Sequence, residues 1–140
     1  MPDAVASRSR FVLDTSAILA LRGNERGADR VDALLRAVSV GRVEVLLSFM
    51  TRMEILYRVA DDEGADEAAS VIRLLDATGV AWVSCEDDIL KEAARIKAGG
   101  GLSVADAWIA ATAARRQAVL VHKDPEFHRL RHVEQERLPT

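Results

Sequence analysis

The chain has 140 residues, 19 Lys plus Arg against 22 Asp plus Glu, a formal net charge of -3 and an apolar fraction of 49%. These values fit one globular domain with a core of its own, and argue against disorder and against a polybasic protein that holds nucleic acid through bulk positive charge. The lone Cys85 allows no internal disulfide, residues 1–10 lack the apolar centre of a signal peptide, and no apolar stretch reaches the roughly 20 residues a bilayer requires, so a reducing cytoplasm is the expected setting.

In chain order, residues 11–13 (Phe, Val, Leu) read as a short buried strand that ends at Asp14 and feeds a helix over 15–21. Val31, Leu34, Leu35 and Val38 have the spacing of an amphipathic helix over 26–38, ended by Gly41. Residues 43–48 form a second strand. From Thr51 the spacing turns helical again, with Met53, Leu56, Tyr57 and Ala60 on one side, and a further helix spans 65–77 before Gly79. Strand 80–83, helix 87–98 and the stop Gly99-Gly100-Gly101 follow. Ser103 opens a helix that turns Ala107, Trp108, Ala111 and Ala114 to a sheet; 118–121 is the fourth strand, and Lys123-Asp124-Pro125 is a turn. The expected core covers about residues 10–128, with a charged tail over 129–140. Strands alternating with helices imply a mostly parallel sheet covered on both faces, a three-layer α/β/α sandwich that binds ligands at the carboxyl ends of its strands.

Four carboxylates fall at that edge. Asp14 follows the first strand, Glu54 and Asp106 lie near helix starts, and Asp124 follows the last strand. Each has an alternative structural role. Asp14 can cap a helix, Thr51 to Glu54 has capping-box spacing, Ser103 to Asp106 has a weaker version of it, and Asp124-Pro125 suits an N-cap followed by proline. Taken together, however, they would repel one another unless a cation neutralised them, and an all-oxygen ligand set suits Mg²⁺ or Mn²⁺ rather than zinc. The chemistry that follows is metal-assisted phosphodiester hydrolysis.

The segments FVLDTSAILAL (11–21), TRMEILYR (51–58), LSVADAWIAATA (102–113) and VLVHKDPEF (119–127) resemble, in order and spacing, the four motif blocks of the PIN-domain ribonucleases. Within that superfamily, length and order resemble the VapC toxins of toxin–antitoxin pairs. The resemblance implies a PIN fold, Mg²⁺- or Mn²⁺-dependent endonuclease activity on RNA, homodimerisation, and inhibition by a cognate VapB-type antitoxin. It places Asp14, Glu54, Asp106 and Asp124 as catalytic acids, with Asp14, Asp106 and Asp124 on the metal. Ser16 matches the polar position after the first acid. The last block departs from the family pattern: His122 stands where Thr or Ser is frequent, and Lys123 where Asn is frequent.

Substrate contacts are expected from Ser16, Arg52 and Lys123. Arginine outnumbers lysine 16 to 3, which suits phosphate but also fits an Arg-rich composition. Cys85, Trp82 and Trp108 read as packing residues, and His128 and His132 as part of a solvated tail. Ile18, Leu19 and Leu21 with Leu34 and Leu35 serve either as ordinary core or as the antitoxin groove. The alternatives to an enzyme are a catalytically silent PIN-like module that binds RNA or a partner, and a metal-binding receiver-type signalling domain. The latter requires an Asp at the end of the middle strand.

Overall fold

The computed structural model describes residues 8–140, so most of the stretch inspected for a leader lies outside the described residues. Strand β1 (Arg10–Leu13) is the middle of the sheet because Phe11, Val12 and Leu13 bury on both faces. Among the described residues the sheet has five strands, all parallel, in the order β3-β2-β1-β4-β5, with β2 at Glu44–Ser48, β3 at Ala81–Val83, β4 at Val119–His122 and β5 at Gln135–Arg137. Val12 sits opposite Leu46 on one side and Leu120 on the other.

Alternation along β1 divides the core into two. Phe11 and Leu13 pack with Ile18 of α1 (Thr15–Arg22), Val31, Leu34 and Leu35 of α2 (Ala28–Ser39), Ile55 and Val59 of α3 (Phe49–Glu63) and Val71 and Leu75 of α4 (Ala65–Thr78). Val12 packs with Ile89, Ala93 and Ile96 of α5 (Asp87–Ala98) and the alanine-rich face of α6 (Val104–Arg115). The result is the expected α/β/α sandwich. Small side chains on α6 bring its backbone close to the sheet, and its lone large ring, Trp108, meets Phe49 edge-on at 4.9 Å.

The strand order decides against a receiver domain. Receiver-like sheets run 2-1-3-4-5, whereas here β3 lies at an edge and ends in Val83 rather than an acid. The chain winds outward from β1 through β2 to β3, then crosses back to β4 and β5. The switch point therefore lies between β1 and β4, where an open parallel sheet leaves a crevice for ligands.

Several expectations require correction. Helix α3 starts at Phe49, two residues before Thr51, because the Ser48 hydroxyl accepts the Met50 N–H at 3.1 Å and so caps it. Glu54 is therefore not part of a capping box. The inward stripe of that helix is Thr51, Ile55 and Val59, while Met53, Leu56 and Tyr57 are 46%, 42% and 50% exposed. A threonine buried against the site carries too little hydropathy to mark the buried side. Cys85 is exposed in the loop after β3.

The charged tail also folds. After the 3₁₀ turn Pro125–Arg129, β5 extends the sheet, the Arg30 guanidinium grips Glu136 (Nε to Oε2, 2.7 Å), and Val133 and Leu138 bury. Its polar strand residues conceal apolar anchors on either side. His132 is tied to the buried Glu92, Nε2 to Oε2 at 3.3 Å, while His128 stays exposed.

Leu138→Ala is expected to lower the unfolding free energy by about 2–4 kcal/mol in urea titrations, the cost of emptying a core leucine site. Leu56→Ala on the exposed stripe should cost less than about 1 kcal/mol.

Candidate active site

Asp14 ends β1 and caps α1. One of its oxygens, Oδ2, accepts the Ser16 backbone N–H at 3.1 Å and the Ser16 hydroxyl proton. The Ser16 Oγ in turn accepts the Lys123 N–H at 3.0 Å, and the Asp14 N–H donates to the Val121 carbonyl at 2.9 Å. The carboxyl ends of β1 and β4 are thus laced together across the switch point. The other oxygen, Oδ1, is buried and finds no hydrogen-bond partner among the described residues. A buried carboxylate oxygen left in this way is costly unless a cation meets it.

Other acids lie near enough to couple to Asp14 and to one another. Asp106, in the first turn of α6, lies with Asp124 and Glu126 in a group whose ligand atoms are all within 4.8 Å of one another. Glu54 accepts the Thr15 hydroxyl proton at 2.7 Å, and Thr15 Oγ1 is 3.4 Å from Thr51 Oγ1. Burial pushes the Asp14 carboxyl up to about 6, against the lowering effect of its Ser16 hydrogen bonds, with the Glu54 charge adding to the rise. Asp106 is raised to about 7 by burial and then by Asp14, Asp124 and Glu54, so the four acids named from the sequence share one field. This donor set is all oxygen, crowded and short of positive partners, which fits a hard divalent cation such as Mg²⁺ or Mn²⁺.

Asp124 is held from two directions. Its Oδ1 accepts the Glu126 N–H at 2.9 Å, capping the 3₁₀ turn, and its own N–H donates to His122 Nδ1 at 3.1 Å. Burial lowers the pKa of His122, so the ring is neutral at pH 7.

The family model of the PIN domain matches residues 11–133, nearly the whole described chain and every acid above. The chain belongs to the PIN domain family. Solved structures agree on the fold. VapBC2 from Rickettsia felis bound to a promoter DNA fragment matches with a TM-score of 0.74 at 14% identity, covering 93% of this chain and 99% of that one. VapBC-1 from Haemophilus influenzae gives 0.72 at 24%, covering 91% and 97%, and VapC20 from Mycobacterium tuberculosis, described as a Sarcin-Ricin loop cleaving toxin, gives 0.68 at 20%, covering 89% and 97%. No curated protein matches the sequence.

In this PIN domain Asp14, Glu54 and Asp124 all raise the Asp106 carboxyl, but among the described residues the group at ligand distance is Asp106, Asp124 and Glu126, without Asp14 or Glu54, and Ser16 bridges Asp14 to β4. The two basic side chains are engaged elsewhere. Lys123 Nζ pairs with Glu25 at 3.1 Å and donates to the Arg26 carbonyl at 2.9 Å. The Arg52 guanidinium stacks 4.4 Å from the Trp82 ring centroid and lies 3.8 Å from Asp76. Sequence reasoning missed Glu126 and Thr15. The Asp-Pro-Glu run was the available signal for the first, because a proline at the first position of a turn fixes an acid two residues beyond the cap. Thr15 carried no such mark.

Both raised carboxyls hold their protons more tightly in the folded state than in the unfolded chain, where the value is 3.8. The metal-free fold therefore loses stability as pH rises from about 4 to 7. In EDTA, Asp14→Asn should be more stable than the parent at pH 8, by about 1–3 kcal/mol in urea titrations, and the difference should vanish towards pH 4. With Mn²⁺ present the trend reverses, because protons compete with the ion below about pH 6.

Proposed function

We propose that this PIN domain is the toxin of a type II toxin–antitoxin pair, a Mg²⁺-dependent endoribonuclease in which Mn²⁺ can substitute. The observation that carries the reading is the unpartnered, buried Oδ1 of Asp14 at the switch point, with Glu54 and Asp106 close enough to couple to its charge. The names of the similar structures, VapBC complexes and an RNA-cleaving VapC, support the biological assignment.

Asp14, Asp106 and Asp124 would hold the ion, and Glu126 lies within ligand distance of Asp106 and Asp124. When bound, the ion supplies an activated water and offsets the charge of the phosphodiester. Glu54, held at Oε1 by Thr15, would use its other oxygen to accept a proton from the attacking water. Ser16 occupies Asp14 Oδ2 and leaves Oδ1 for the ion. In-line attack leaves a 5′-phosphate and a 3′-hydroxyl. Arg52 and Lys123 reach the RNA backbone by exchanging Asp76 and Glu25 for phosphates.

The antitoxin's place in this proposal is an apolar cleft of about 230 Å³ between α1, α2 and α4, lined by Ile18, Leu21, Leu35, Val71 and Leu74, with Arg22 at its rim. Leu74 is 66% exposed there. A homodimer acting on RNA in the cytoplasm completes the reading; among the described residues no helix is long and apolar enough to cross a membrane.

Purified protein should cleave single-stranded RNA in Mg²⁺, and Asp14→Asn and Asp106→Asn should each reduce the rate at least about 100-fold. End-labelling should reveal 5′-phosphates. Undiminished cleavage in excess EDTA would sink the metal mechanism, and RNA binding without cleavage would identify a silent module.

A further inference from the structure

We propose that His122 and Gln135 are positioning residues for the acidic pocket: the last strand locks the imidazole, and the imidazole fixes the turn that carries Asp124 and Glu126. The inference rests on the metal-binding reading of that pocket and concerns residues that lie outside it.

His122 ends β4 and is 1% exposed. The direction of every hydrogen bond around it is forced by the main chain. The Asp124 backbone N–H can only donate, so Nδ1, 3.1 Å away, is the unprotonated nitrogen. The proton therefore sits on Nε2, which donates to Gln135 Oε1 at 2.9 Å. That fixes the amide of Gln135 in turn. Its NH₂ donates to the carbonyls of Phe127, at 2.7 Å, and Leu130, at 3.0 Å, neither of which can donate. The Phe127 ring packs on the imidazole with centroids 4.9 Å apart, and the Leu138 N–H donates to the His122 carbonyl at 2.7 Å. One side-chain pair thus ties the start of the 3₁₀ turn, its end and two sheet strands into a closed circuit.

The circuit matters because of what the turn presents. Ligand atoms of Asp106, Asp124 and Glu126 lie within 4.8 Å of one another, and like charges so close push the turn away from α6. Asp124 caps, and Glu126 lies within, a five-residue turn with little regular structure to resist that push. The His122–Gln135 pair supplies the resistance through the amide of the ligand residue itself. Outer hydrogen-bond partners of this kind set metal affinity without touching the metal.

The test uses the full chain and Mn²⁺ alone as the probe, titrated calorimetrically. Gln135→Leu and His122→Leu should weaken Mn²⁺ binding about 10- to 100-fold while the folded protein persists. His122→Asn, whose Oδ1 can still accept the Asp124 N–H, should retain affinity within about threefold of the parent. A merely structural role would lower the urea midpoint and leave the affinity of the folded molecules unchanged, and that result overturns the proposal. Hydrogen exchange at the Asp124 amide gives a readout that needs no metal. Lost protection in Gln135→Leu and retained protection in His122→Asn uphold the positioning role, and unchanged protection in both overturns it. If the parent binds no Mn²⁺, the metal reading fails, and exchange at that amide alone decides whether the pair fixes the turn.

Discussion

A carboxylate held out of water with one oxygen unsatisfied is the constraint from which the rest of this molecule can be understood. Asp14 is 4% exposed, directly follows the central strand and is tied to β4 through its own N–H and through Ser16. Its neighbours increase the tension: Glu54 and Asp106 approach from helices on opposite faces of the sheet, and Asp124 adds its charge to Asp106. A fold selected for stability alone would place an amide or an apolar residue there. The arrangement makes physical sense when the missing positive charge arrives from outside, which is why the energetic penalty and the proposed chemistry share one cause.

The parallel sheet makes such convergence possible. Every strand points the same way, so each strand end and each following helix start arrives at one edge, and the reversal of winding between β1 and β4 opens that edge. The Ser16 hydroxyl bridges the opening, donating to Asp14 and accepting from the Lys123 amide. Helix caps do double service. Asp14, Ser48, Ser103 and Asp124 each satisfy free N–H groups at a helix or turn start, and two of the four caps are themselves acids of the pocket. The capping and catalytic readings of these acids are therefore compatible.

What the sequence made legible follows the strength of local signals. The strand β1, the helices around Leu34 and Ile89, and the four acids at comparable offsets from strand ends were readable because apolar period and chain order determine them. Three features were not. The inward stripe of α3 runs through Thr51, whose buried hydroxyl faces that of Thr15 and which hydropathy does not mark. Strand β5 consists of Gln135, Glu136 and Arg137, and is recruited by tertiary pairing with β4 and by the Arg30 ion pair. Glu126 joins the acids only because Asp124 caps its amide. In each case a polar residue is fixed by partners distant in sequence or by a turn that periodicity does not describe.

The involvement of β5 also has a bearing on when the pocket comes into being. Asp14, Glu54 and Asp106 are translated well before the segment that clamps Asp124, and β1 lacks one of its two neighbours until residues 119–122 have emerged. The nascent chain therefore carries three of the acids with no crevice to hold them. Assembly of the pocket is a late, non-local step in which the end of the chain closes on its beginning. A copy that stops short of β4 lacks both Asp124 and the strand that borders the crevice.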